Sequence, residues 1–100
     1  MDDPRLLLIS PHDNVCAATK PLTAGEDVGF AGTTFRISSD VPVGHKVAVR
    51  AIELGEKVIK YGASIGSATC AIAAGDHVHS HNLASDYLPS AGRSPVARGA

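Results

Sequence analysis

Ile72-Ala73-Ala74-Gly75-Asp76-His77-Val78-His79-Ser80-His81-Asn82 holds two patterns, one that speaks to fold and one that speaks to chemistry. Its first seven residues repeat a formula of an apolar residue, two spacers, Gly, two spacers and Val. The same formula occurs at Leu22-Thr-Ala-Gly25-Glu-Asp-Val28, at Val41-Pro-Val-Gly44-His-Lys-Val47 and at Ile52-Glu-Leu-Gly55-Glu-Lys-Val58. Four copies in a hundred residues predict four tight turns, with Gly at positive φ and a strand starting after it. The turn glycines fall at 25, 44, 55 and 75, so the first and third lie 30 apart and the second and fourth 31. This spacing predicts two similar halves in a pseudo-twofold pairing rather than a solenoid.

Between the turns the segments 33–38, 46–52, 57–61 and 68–72 are short and rich in Val, Ile and Thr, and 5–10 and 15–20 precede them. No window of eleven or more residues sustains the i, i+3, i+4, i+7 spacing of an amphipathic helix. The expected fold is mostly β, built from short bent hairpins with little helix, barrel-like or clip-like. The domain is expected over 5–83. Residues 84–100, punctuated by Pro, Gly, Ser and Ala, read as a flexible tail or linker, within which Asp86-Tyr87-Leu88 could dock on a neighbouring subunit.

Composition narrows the function classes. Nine Lys and Arg against ten Asp and Glu leave no basic run, so electrostatics give no reason to expect a nucleic-acid or membrane partner. With four aromatic residues and no Trp, the core must be aliphatic, and a small aliphatic core is often completed by another copy or subunit. Cys16 and Cys70 form no paired motif and are expected to be buried thiols in a reducing compartment. The run Leu6 to Ile9 is too short to span a bilayer, and Asp2 and Asp3 give the wrong charge for a secretory leader. A cytoplasmic protein is the default.

If 77–82 is extended, His77, His79 and His81 share one face, with roughly 13 Å between the first and the last. No single ion bridges that distance unless the strand bends. Neutral imidazole ligates transition metals and transfers protons near neutral pH, whereas a polar edge strand has no need of three imidazoles. His45 is the best outside contributor, because it fills the slot after Gly44 that Asp76 fills after Gly75. Lys46 and Lys60 can hold an anion as point charges, although a solvated Lys is the commoner fate. Asn14 reads as a turn former and Asn82 as a turn former or a ligand contact. Glu26, Asp27, Glu53, Glu56 and Asp76 fall in the turns and are expected to face solvent.

Gly44-His45-Lys46, Gly55-x-x-Val58-x-Lys60-Tyr61-Gly62-x-x-Ile65-Gly66 and Ile72-x-x-Gly75-x-His77-Val78-His79-x-His81-Asn82 together resemble the N-terminal SAF domain of the altronate/galactarate dehydratase family of hydro-lyases. Asp13-Asn14-Val15 fits the same pattern. The resemblance covers about residues 5–88 and excludes both cysteines. It implies a SAF-type β-clip fold, related in architecture to antifreeze-like domains. It also implies dehydration of a sugar acid such as altronate to a 2-keto-3-deoxy acid, with a divalent metal, Fe2+ or Mn2+, and a large hydro-lyase subunit or domain as partner. On this reading His77, His79 and His81 bind metal or line the substrate mouth. His45, Lys46 and Lys60 face the substrate carboxylate, with Asn82 a further substrate contact and the general base unassigned. Two alternatives stay open, the small subunit of a sulfolactate sulfo-lyase and a non-catalytic lid or binding module.

Overall fold

The computed structural model describes residues 2–8 and 10–86. Those residues form nine short strands and no helix, as the Gly-punctuated sequence requires. Strands β1 (Leu6–Leu7), β2 (Val15–Ala18), β5 (Lys46–Ala48) and β8 (His77–Val78) make an antiparallel sheet in the order β1-β2-β5-β8. Two hairpins accompany it: β3 (Asp27–Phe30) with β4 (Thr33–Arg36), and β6 (Lys57–Lys60) with β7 (Ala63–Ala68), to which β9 (Leu83–Ala84) adds a third strand.

The central sheet is buried on both faces, because successive residues of a strand point in opposite directions. Cys16, Ala18 and Val47 pack with Val28 and Phe30 of the first hairpin and with Leu22, Ile37 and Val41. Val15, Ala48 and Val78 pack with Val58 and Ala68 of the second hairpin and with Ile52 and Ile72. The hairpins therefore lie on opposite faces of one sheet. Burying each of these branched side chains is worth roughly 1.5–3 kcal/mol, which is how a core with few aromatics holds the chain.

The repeat is visible bond by bond. The Gly25 amide donates to the Ile37 carbonyl as Gly55 does to Ala68, Gly44 donates to Ala18 as Gly75 does to Ala48, and the pairing of Leu22 with Val41 matches that of Ile52 with Ile72. In each of the four turns a carbonyl (Thr23, Pro42, Glu53, Ala73) accepts from the residue after the Gly (Glu26, His45, Glu56, Asp76). The Gly φ values are 91°, 82°, 83° and 96°. The second unit begins with β5, the strand that ends the first, so the chain advances β2, β5, β8. Each step reverses the strand and flips the face. The halves are thus related by a twofold turn with a displacement, a form of the pseudo-twofold pairing that the spacing predicts.

Three expectations change. The strand placed at 68–72 is at Ala63–Ala68, with only an isolated bridge at Ile72. Cys16 is buried, but Cys70 is exposed. Asn14 is more than a turn former. Fully buried, its side chain donates to the Lys57 carbonyl at 2.9 Å and accepts from the Ile59 amide at 2.8 Å, standing in for a strand neighbour of β6. Of the tail expected to be flexible, 87–100 lie outside the described residues, Tyr87 and Leu88 among them.

Candidate functional site

The extended histidine run does not form. β8 ends at Val78, the chain bends at His79 and turns through 80–82. Asn82 closes the turn with its side chain, accepting from the His79 amide and donating to the His77 carbonyl, both at 2.9 Å. Both polar ends of this buried amide are thereby committed to the backbone.

The bend makes the histidines converge. His77 pairs in register with Val47, and His45 lies two residues before Val47, so both share the face of the first hairpin. His45 Nδ1 and His77 Nε2 are 2.9 Å apart, one the donor and the other the acceptor. The His79 ring stacks on His45 at 4.7 Å between centroids and lies 5.5 Å from His77. One nitrogen from each of His45, His77 and His79 lies within 4.8 Å of the others. His81 sits 5.4 Å from His77, tilted and outside that trio. Burial, and then His45, His81, His79 and Lys46 in that order, push the His77 pKa down, favouring the neutral ring that a metal needs.

His45 is free to join because of Pro42. In the first, third and fourth turns the residue after the Gly is acidic, and Glu26, Glu56 and Asp76 accept from the amides of Thr23, Glu53 and Ala73. In the second turn the equivalent position is Pro42, which has no N–H to satisfy. The expectation that these acids simply face solvent was therefore too weak for the three that cap turns.

Gly75 fixes the other side of the cluster. A Cβ there would stand 2.0 Å from the Arg36 carbonyl oxygen, whereas Gly25, Gly44 and Gly55 have open space. The end of β4 leans on this turn: the Ser38 amide donates to the Gly75 carbonyl, and its hydroxyl donates to Asp76. The histidine turn is thus docked against the first hairpin.

Lys46 pairs in register with Val78, so it belongs to the opposite face of β5, towards the second hairpin and Lys60. Burial, and then Lys60, lower the Lys46 pKa. Among the described residues neither lysine has a carboxylate partner. The Lys60 ammonium lies 4.9 Å over the Tyr61 ring. The structure therefore brings four histidines together and sets the lysines apart as a second group.

The model of the altronate/galactarate dehydratase SAF domain matches residues 4–86. The chain belongs to that family. Altronate dehydratase of Escherichia coli K12 is 47% identical over 70 residues, 70% of this chain but 14% of that protein. The Bacillus subtilis 168 altronate dehydratase is 35% identical over 74 residues, 74% of the chain and 15% of that protein. The (2R)-sulfolactate sulfo-lyase subunit alpha of Paracoccus pantotrophus is 46% identical over 50 residues, 48% of the chain and 75% of that subunit. This SAF domain thus spans a small fraction of the dehydratases and most of the lyase subunit. No helix among the described residues is long and apolar enough to cross a membrane.

Proposed function

We propose that this SAF domain contributes the histidine side of the active site of a sugar-acid hydro-lyase of the altronate dehydratase type, acting with a large catalytic subunit. The convergence of His45, His77 and His79 at the end of the sheet carries this reading. The cluster is open: His79 and His81 are exposed and no cavity encloses it among the described residues, so a partner surface has to complete it.

Three imidazole nitrogens without a carboxylate suit a borderline divalent ion, so of the two metals the resemblance implies, iron(II) fits this donor set better than manganese(II). His45, His77 and His79 would hold it, and it would supply positive charge for the enediolate that develops when the proton beside the carboxylate leaves. His81, expected as a ligand, then lines the mouth, where its imidazole can pass a proton to the departing hydroxyl. Lys46 and Lys60, on the other face of β5, offer fixed positive charge that holds the anionic substrate apart from the histidines before its carboxylate reaches them. Asn82, expected as a substrate contact, serves by holding the loop that carries His79 and His81.

The sulfolactate sulfo-lyase reading keeps one specific support, since the Paracoccus pantotrophus subunit alpha is itself largely this domain. One reconstitution tests both. With the large subunit, wild type and His79→Ala are assayed on altronate and on sulfolactate, and metal content and melting are measured in parallel. His79→Ala is expected to lose metal and turnover while melting like wild type. Unchanged turnover and metal content would sink the proposal, and turnover of sulfolactate alone would move it to the sulfo-lyase.

A further inference from the structure

The tip of the second hairpin carries a cost that nothing in the fold requires. Both hairpins turn through two residues at positive φ, the type I′ geometry that suits right-twisted strands: Ala31 at 53° with Gly32 at 80°, and Tyr61 at 57° with Gly62 at 75°. Asn, Asp or Gly serves best at the first of these positions. Ala31 is a small departure, but a tyrosine is a large one, and the residue is 59% exposed, so burial does not compensate.

The strained tip is also held harder than its counterpart. The Ala31 amide donates to the exposed Asp2. The Tyr61 and Gly62 amides donate to the two carboxylate oxygens of buried Asp13, at 2.9 and 2.7 Å. Strain kept against the local preference and locked from below marks a side chain whose direction matters. That direction puts the ring under the Lys60 ammonium, in the lysine group that has no carboxylate partner among the described residues.

We propose that Tyr61 is a binding residue, its ring forming with Lys60 and Lys46 a subsite for the carboxylate end of a polyhydroxylated acid, set apart from the histidines across β5. The lysines take the charge. The ring face takes the C–H side of the hydroxylated chain, which simple anions lack. This rests on the sugar-acid reading above, but not on the metal.

The test is titration of the full chain, metal-free, with sodium gluconate and with sodium acetate, followed by amide and side-chain NMR. Gluconate is expected to shift Lys60, Tyr61 and Gly62 saturably. Tyr61→Asn, which suits positive φ, should weaken gluconate about tenfold and leave acetate unchanged, and it should melt no lower than wild type. Tyr61→Phe should bind gluconate like wild type. The absence of a saturable shift at 60–62, or equal gluconate affinity in Tyr61→Asn, would overturn the subsite. Failure of the His79→Ala test alone would overturn the metal reading and leave the subsite standing.

Discussion

The two turn-and-hairpin units share a backbone plan and differ in how each is secured and in what each carries. The first hairpin is tethered from outside by charged groups: the Asp3 amide donates to the Gly29 carbonyl, and Arg5 pairs with Asp3 and Glu26 at 3.0 and 2.9 Å. Buried amide and carboxylate groups grip the second from inside, where Asn14 bonds two backbone groups on one edge of β6 and Asp13 bonds the hairpin tip. The second unit also has both unusual turns at its ends. Pro42 frees His45 before it, and the docked Gly75 precedes the histidines that finish it. The repeated scaffold thus differs where Pro42 leaves one turn without an amide to cap, and a histidine occupies the position that is acidic in the other three turns.

The glycines give the largest contrast. Gly44→Ala meets only the positive φ and should cost about 1 kcal/mol. Gly75→Ala also drives a methyl into the Arg36 carbonyl, which belongs to a paired strand and cannot swing aside, so the loss should be about 4 kcal/mol or more. Denaturant melts of the two variants measure this. Equal losses would mean that the fourth turn is no more tightly docked than the second.

That contrast separates what local sequence dictates from what only long-range packing supplies. The four glycines were legible because each turn needs the same positive φ, and the β class followed from them. The packing of one glycine against β4 was not, since it depends on a partner 39 positions away (75 minus 36). The strand Ala63–Ala68 was missed because Ala-Ser-Ile-Gly-Ser-Ala has neither alternation nor bulk. Its strand form comes from pairing with β6 and from the approach of Ala84 to Gly66. The histidine types and the pairing of His45 with the run were legible, whereas the bend was hidden in Asn82, whose role needs the positions of two backbone groups. Tyr61 carried two sequence signals, its place in the Lys60-Tyr61-Gly62 run and an aromatic before Gly where a hairpin turn prefers Asn, but neither shows the Asp13 carboxylate that holds it.

Turn capping offers a second, smaller contrast. Glu56→Ala strands the Glu53 amide in the third turn and should cost about 1 kcal/mol. His45→Ala strands no turn amide, because Pro42 asks for no acceptor, and gives up only the half-buried bond to His77, so it should shift stability by about 0.5 kcal/mol. Calorimetry separates the two, and the content of the proposed metal should run the other way, lost in His45→Ala and kept in Glu56→Ala. If His45→Ala proved the more destabilising, the histidine would be a structural part of its turn.

The smallest effect concerns the charged tether of the first unit. Hydrogen bonds from the Arg5 side chain and amide hold the Asp3 carboxyl below its usual range, and the Thr23 amide followed by Arg5 does the same for Glu26. A carboxylate whose pKa is lower folded than unfolded stabilises the fold above its unfolded pKa, near 4 for these groups, and loses that contribution as pH falls through the folded value. The tether should therefore be intact at pH 7 and progressively lost below about pH 4, whereas β6 of the second unit keeps the bonds of Asn14, which does not titrate, with the Asp13 carboxylate confined to the hairpin tip. Asp3→Asn should lower the melting temperature at pH 7 by roughly 2–3 °C and narrow the gap between pH 7 and pH 3, because the variant has one fewer carboxylate to protonate. Hydrogen exchange at pH 3 should then show the amides of β3 opening before those of β6. Should β6 open first, the inner grip of Asp13 would be the acid-sensitive one, and the two units would have to exchange roles as the weaker and the stronger half of the fold.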